Sequence, residues 1–137
     1  MNDDVLLDTP LITVTALDGV ARATVENRSD VGAEEGAEIA RRLVETVTRE
    51  VFAPDARFRG LVLDVRDAPD VFGPKTRDAL ETLFRGAEAA KKPVGVLVRS
   101  TTQRLQYDSL AGLYAPSTSR LFESMEQAVA FARAPAR

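Results

Sequence analysis

The sequence contains neither cysteine nor histidine, and the two absences together remove most familiar kinds of catalytic site. Without cysteine, the chain has no disulfide, no thiolate metal ligand and no cysteine nucleophile. Without histidine, it has no Ser-His-Asp triad and no His-ligated zinc or iron site. Acid–base chemistry near neutral pH would need a carboxylate, a lysine or a tyrosine with a shifted pKa. We therefore expect a protein that is not an enzyme and that holds no metal ion and no cofactor.

Long apolar runs and basic clusters are also lacking. No stretch of about 18 consecutive apolar residues occurs, so no membrane span is expected. The net charge is −3 and no run of Lys or Arg interleaves with aromatic residues, which argues against a nucleic-acid partner. The acidic start, MNDDVLLDTP, has too short an apolar part for a signal peptide. With the absence of cysteine, this predicts a cytoplasmic location.

The 137 residues are the usual size of one domain, and no repeat, low-complexity segment or linker divides them. We predict a flexible N-terminal segment over residues 1–10, a single domain over 11–133 and a tail over 134–137.

The hydrophobic pattern predicts an α/β fold in which a leading hairpin is followed by strands that alternate with helices. Asp18-Gly19 tolerates positive φ at both turn positions and so favours a tight hairpin turn. LVLDV at 61–65 and VGVLV at 94–98 are typical of buried parallel strands, and SRLFES at 119–124 predicts a short last strand. The expected architecture is a mixed β-sheet with an N-terminal antiparallel hairpin and about four helices.

Each predicted helix has a recognisable start. In chain order these are Ser29 or Asp30 as a cap, Pro74 in a first turn, Thr101 or Thr102 as a cap, and the capping box of Ser124 and Gln127. In the third helix we expect Tyr114 to pack in the core and Tyr107 to be half exposed. Alternatively, Gln103, Gln106 and Tyr107 would line a pocket with polar groups.

The stretch GLVLDVRDAPDVFGPKTRDALETLF, residues 60–84, joins a predicted strand to a predicted helix at the edge where open α/β sheets bind ligands. It contains two apolar loop residues, Val71 and Phe72, with charged neighbours. An exposed Phe beside a charged rim suits a protein-binding hot spot. Equally, Phe72 could simply pack onto the helix that it precedes.

The start of that helix also suits an anion. Gly73, Lys75 and Thr76 would lie at the positive end of the helix dipole. The spacing of a P-loop is absent, however, and Pro74 removes one backbone donor. A Gly-Pro helix start with a solvated lysine explains the same residues.

Three acids in this stretch, Asp64, Asp67 and Asp70, raise the question of carboxylate catalysis. Their spacing in a loop does not by itself bring them together, and exposed loop acids or local caps explain them equally well. The segment also superficially resembles the phospho-acceptor segment of response-regulator receiver domains, with Asp64 as the acceptor. A receiver needs a second β-α unit before this strand, which the predicted order lacks.

The order of the elements and three sequence segments resemble a known family. RGLVLDVRD, KKPVGVLV and LFESMEQAVAF follow a leading hairpin, as in the STAS fold of bacterial anti-sigma-factor antagonists, and in particular its SpoIIAA-like branch. The positions that match the closing pattern of that branch are Phe122, Ser124, Ala128 and Phe131. The resemblance covers residues 11–133 and implies a mixed sheet with helices, no enzymatic activity and docking to protein partners.

Regulated members of that family carry a phosphorylated Ser or Thr at the start of the second helix, in a stretch like Asp-Ser-Ser-Gly. This chain reads VFGPKT at 71–76, where Thr76 is the only hydroxyl and lies slightly beyond the expected position. A phosphorylation switch is therefore not expected from the sequence, whereas the same surface remains suited to a partner.

We predict a non-enzymatic, STAS-like regulatory or scaffolding domain that docks a protein partner through residues 67–77, with a homodimer also possible. The alternative is a domain that binds a small anion or nucleotide at Gly73–Thr76. The candidate partner- or ligand-binding residues are Asp67, Asp70, Phe72, Gly73, Lys75, Thr76 and Tyr107.

Overall fold

The computed structural model describes residues 4–134, which form a six-stranded mixed sheet with four helices. The strands are β1 (Val5–Asp8), β2 (Ile12–Leu17), β3 (Val20–Glu26), β4 (Leu61–Asp67), β5 (Val94–Leu97) and β6 (Ser119–Phe122). The helices are α1 (Ala33–Val47), α2 (Pro74–Ala90), α3 (Thr101–Tyr114) and α4 (Met125–Arg133), and a π-helical turn (Thr48–Phe52) continues α1. This architecture confirms the predicted α/β fold.

The strands lie in the sheet in the same order as in the chain, from β1 to β6. β1, β2 and β3 pair antiparallel, whereas β3, β4, β5 and β6 pair parallel. The turn between β2 and β3 has φ of 51° at Asp18 and 85° at Gly19, the left-handed conformation expected of a tight Asp-Gly hairpin. Parallel pairing from β3 onward places the carboxyl ends of β3, β4 and β5 at one edge of the fold.

The N-terminal segment differs from the prediction. Residues 5–8 form the edge strand β1, with Leu7 buried beside Val14 of β2. The sequence did not indicate this strand because four residues before a proline are too short for a clear period. Residues 1–3 of the expected flexible segment and residues 135–137 of the expected tail lie outside the described residues.

The two faces of the sheet are covered unequally. Helices α1, α2 and α3 pack on one face, where Leu63 and Val96 meet Leu43 and Phe84. Among the described residues, only α4 packs on the other face, through a small cluster of Val20, Val62, Leu97, Ala128 and Ala132. Alternate residues of each strand therefore face the three-helix layer or α4.

Helix α4 lies directly on the backbone of the sheet. A Cβ built on Gly60 would be 2.2 Å from the carbonyl oxygen of Ala132 and 2.8 Å from that of Pro93. A Cβ on Gly95 would be 2.9 Å from the carbonyl oxygen of Ala128. Glycine at these two positions is what permits α4 to approach so closely.

The helix starts are partly as predicted. Helix α2 begins at Pro74, and the Ser124 hydroxyl accepts the Gln127 N–H at the start of α4, both as expected. The caps expected for α1 and α3 are wrong. The cap of α3 is Ser100, whose Oγ accepts the Gln103 N–H at 3.1 Å.

Helix α1 begins at Ala33, later than expected, and its cap Gly32 offers no side chain. The Asp30 carboxylate is instead engaged by the guanidinium of Arg28, at 2.8 and 2.6 Å. Asp30 therefore lies in the loop before the helix, paired with Arg28. None of the helices among residues 4–134 has the length and apolar character needed to cross a membrane.

Candidate functional site

The loop between β4 and α2 is tied to the start of α3 through Asp70. Oδ1 of Asp70 accepts hydrogen bonds from Nη2 of Arg99 at 3.0 Å and from Oγ of Ser100 at 2.9 Å. The side-chain amide of Gln106 donates to the backbone carbonyl of Asp70. Asp70 is thus a loop anchor, and its carboxylate is already engaged.

A second anchor lies deeper and depends on Gln103, which has no solvent exposure. Nε2 of Gln103 donates to the carbonyl oxygens of Val65 at 2.7 Å and Ala68 at 3.1 Å, and Oε1 accepts the Arg99 N–H at 2.8 Å. We call this set of three bonds the Gln103 clamp. It joins the end of β4 to the start of α3, so Gln103 has a structural role and is not the pocket-lining group considered from the sequence.

Asp64 lies on the other face of the sheet, because residues 62 and 64 of β4 point away from the three-helix layer. It is only 3% exposed and forms ion pairs with Nη2 of Arg22 and with Nε and Nη2 of Arg66, each at 3.0 Å. Burial alone would raise the pKa of Asp64, but the hydrogen bonds from Arg66 and Arg22 outweigh it and lower that pKa.

The three candidate acids, Asp64, Asp67 and Asp70, do not converge. Asp64 is held on the α4 face, Asp70 is bound to α3, and Asp67 is exposed at the end of β4. Within residues 4–134, no three acidic side chains come close enough together to hold a metal ion. Asp64, Asp67 and Asp70 are therefore not placed as a pair for acid–base work.

The ion pairs of Asp64 predict a pH dependence of stability. Because the pKa of Asp64 is lower in the folded protein, its ionised form stabilises the fold above the unfolded pKa of about 4, and this contribution is lost as the pH falls through the folded pKa. We expect Asp64→Asn to lower the free energy of unfolding by about 2 kcal/mol at pH 7, and by much less near about pH 2.5.

Urea unfolding at the two pH values measures this difference. Asp67→Asn is the matched control, since Asp67 ends the same strand but is exposed, and it should change stability little at either pH. An equal effect of Asp64→Asn at both pH values would contradict the proposed role of the ionised carboxylate.

The two apolar residues of the loop, Val71 and Phe72, differ in how far they are buried. Val71 is 67% exposed, whereas Phe72 is half-buried and its ring meets that of Tyr107 edge-on, with centroids 5.4 Å apart.

The burial expected for the two tyrosines of α3 is reversed in the structure. Tyr107 is 3% exposed, whereas Tyr114 is half-buried with the guanidinium of Arg85 stacked over its ring at 4.6 Å.

The start of α2 is open to solvent. Gly73 is the cap residue in an extended conformation, and its carbonyl accepts the N–H of Arg77 at 2.9 Å. Lys75 and Thr76 are exposed in the first turn. Because Pro74 has no N–H, the free backbone donors of this turn are those of Lys75 and Thr76.

A cavity of about 200 Å³ lies below this loop, between α1, α2 and strands β2–β4. Its walls are mostly apolar and include Leu43, Leu63, Val65, Leu80 and Leu83. The predicted site residues Phe72, Gly73, Thr76 and Tyr107 also line it, whereas Asp67, Asp70 and Lys75 do not.

The sequence did not predict this cavity, although it contains one signal for it. Gly36 and Ala40 lie four residues apart on α1, and Ala79 lies on α2, so that small side chains face one another where the helices meet the sheet. Facing small residues leave space that larger residues would fill.

No family model, no curated protein and no solved structure matches the chain. None of these comparisons identifies a STAS domain.

Proposed function

We propose that this chain is a non-enzymatic, STAS-like regulatory or scaffolding domain that docks a protein partner through residues 67–77, acting in the cytoplasm. The observation that carries the proposal is the exposure of Val71 on a loop that is firmly held. A single exposed apolar side chain is common on protein surfaces, so the support comes from the position of Val71, which is 67% exposed on an anchored loop between the exposed charges of Asp67 and Lys75.

The anchoring of the loop supports the same proposal. Asp70 and the Gln103 clamp fix the loop against α3 at both its deep and its exposed ends. A loop that is already ordered loses less conformational entropy on binding than a mobile one. Exposed charges at Asp67 and Lys75 flank Val71 and provide the polar rim that such interfaces have.

The alternative, a small anion or nucleotide at Gly73–Thr76, has weaker support. The first turn of α2 offers two backbone donors and the Lys75 ammonium, all exposed to water. Exposed helix dipoles contribute only about 0.3–1 kcal/mol to holding an anion. We therefore keep protein docking as the leading proposal.

The test is capture of partners from lysate of the source cell with the tagged chain. We expect Val71→Glu to reduce the yield of a specific partner by about tenfold, because it places a charge in the centre of the apolar contact. The matched control is Leu105→Glu on α3, since Leu105 is also 67% exposed but lies outside the 67–77 segment.

A partner retained by the Leu105→Glu variant and lost by the Val71→Glu variant would support docking through this segment. Capture of an untagged copy of the chain with the same dependence would identify the partner as a second protomer. Equal capture by both variants and the unaltered protein would contradict the proposal.

A further inference from the structure

The cavity beneath the loop is lined by Val71 among other residues, but most of its wall is formed by apolar side chains of the helices and the sheet that docking at the surface does not use. We propose that it binds one small, uncharged, mainly apolar ring compound that accepts a hydrogen bond from the hydroxyl of Tyr107. This goes beyond the proposed function, since it concerns the interior behind the loop and a different class of ligand.

The size of the cavity sets the size of the ligand. An engineered apolar cavity of about 150 Å³ stays dry and binds benzene, whereas pockets for drug-sized molecules measure about 300–1,000 Å³. At about 200 Å³, this cavity suits a single ring with a short substituent. Its aliphatic walls, among them Leu43, Leu63 and Leu83, favour an apolar ring over water.

The charges at the cavity favour a neutral ligand. Glu26 and Arg28 are the charged residues of the lining, and both are exposed. The guanidinium of Arg28 is already bound to both carboxylate oxygens of Asp30 and to the carbonyl of Pro10, at 3.2 Å for the latter. An anion would therefore meet the Glu26 carboxylate without a free cation opposite it, and would lose its hydration on entering the apolar interior.

Tyr107 supplies the polar contact. The residue is 3% exposed and lines the cavity, yet its hydroxyl forms no hydrogen bond with any of residues 4–134. The hydroxyl oxygen retains some contact with solvent, so a ligand with an acceptor atom can replace the water that it would otherwise bind. Burial raises the pKa of Tyr107 well above its usual value, so the hydroxyl remains a donor through the physiological range.

The experiment titrates three single-ring probes into the isotope-labelled full chain and monitors the backbone amide signals by NMR. Toluene has no acceptor, acetophenone has a carbonyl acceptor, and benzoate is an anion. We expect saturable shifts at cavity-lining amides such as those of Ala40 and Ala79, with acetophenone binding about fivefold tighter than toluene because of one hydrogen bond. Benzoate should bind most weakly.

Two variants separate the contribution of the Tyr107 hydroxyl to binding from that of the cavity volume. Tyr107→Phe should remove the preference for acetophenone and leave toluene binding unchanged, whereas Tyr114→Phe, outside the cavity lining, should change neither. Ala79→Leu should fill the cavity and weaken both neutral probes by about tenfold or more. Because Ala79 is only half-buried, this variant is expected to fold, which its amide spectrum verifies.

The proposal is overturned if the folded protein shows no saturable shift with about 10 mM acetophenone, a weak affinity for a ligand of this size. It is also overturned if benzoate binds best, or if Tyr107→Phe keeps the preference for acetophenone. These results do not depend on capture of a partner through Val71, so the two proposals can fail separately.

Discussion

Replacing Gln103 by methionine should lower the free energy of unfolding by about 3–5 kcal/mol, although the two side chains have nearly the same length and volume. The change removes all three bonds of the Gln103 clamp. It leaves the carbonyl of Ala68 and the N–H of Arg99 without a partner, whereas the carbonyl of Val65 keeps its bond from the Ala68 N–H at 3.0 Å. Each buried unpaired group costs about 1–3 kcal/mol. The loss comes from these polar groups, since the packing volume is kept.

Urea unfolding followed by circular dichroism measures the effect. Gln106→Met is the matched control, because Gln106 lies one helical turn further along α3 and its one bond to the Asp70 carbonyl is close to solvent. That variant should lose less than about 1 kcal/mol, since water replaces the bond. Equal losses of stability in the two variants would contradict the proposal that the Gln103 clamp stabilises the fold.

Replacing Gly60 by alanine should cost about 3 kcal/mol or more, a large effect for one added methyl group. The new Cβ would collide with two backbone carbonyls, those of Ala132 and Pro93, at 2.2 and 2.8 Å. Neither can rotate away as a flexible side chain would, so α4 must lift from the sheet. We expect increased amide hydrogen exchange in α4 together with the lower stability.

The control for this prediction is Gly112→Ala on α3. Nothing lies within 4 Å of a Cβ at Gly112, and the residue is exposed in a helix. Alanine there should raise the free energy of unfolding by about 0.5–1 kcal/mol through better helix propensity. A loss of stability at Gly112, or no loss at Gly60, would show that the close approach of α4 is not limited by backbone contact.

The fold could be predicted because its local signals agree with its long-range arrangement. The buried strands have continuous apolar runs, the Asp-Gly pair fixes the hairpin turn, and Pro74 marks the start of α2. What the sequence did not reveal depends on which residues pair in the folded chain. Strand β1 is formed by its pairing with β2, and the expected cap Asp30 is paired with Arg28 in the loop before α1.

Helix α3 shows why hydropathy alone misplaces side chains. Its buried stripe contains the polar Gln103 together with Tyr107 and Leu110, whereas Leu105 and Leu113 face solvent. A buried face predicted from the leucines is therefore rotated about the helix axis relative to the observed buried face. This rotation exchanges the expected burial of Tyr107 and Tyr114. The information needed to place Gln103 lies in the carbonyls that it binds on β4, which are far away in the sequence.

Three of the candidate residues lie together, but the shape of the region around them was not predicted. The edge after β4 does gather Phe72, Thr76 and Tyr107, as strand ends in α/β sheets are expected to do. The separation of Asp64 from Asp70 follows from the alternation of side chains along β4, which the sequence contains, together with the path of the loop, which it does not. The cavity requires the relative positions of α1, α2 and the sheet, and these are set by packing.

The order of the strands has a consequence for how the chain folds. Since every strand pairs with its immediate predecessor and successor along the chain, no strand needs to insert between two that are already paired. The growing sheet can therefore be extended one unit at a time from a nucleus, as in a repeat protein. The longest connection between paired strands joins β3 to β4 and contains α1. Closing it carries the largest entropy loss of these connections, so we expect the β3–β4 pairing to limit the rate of folding.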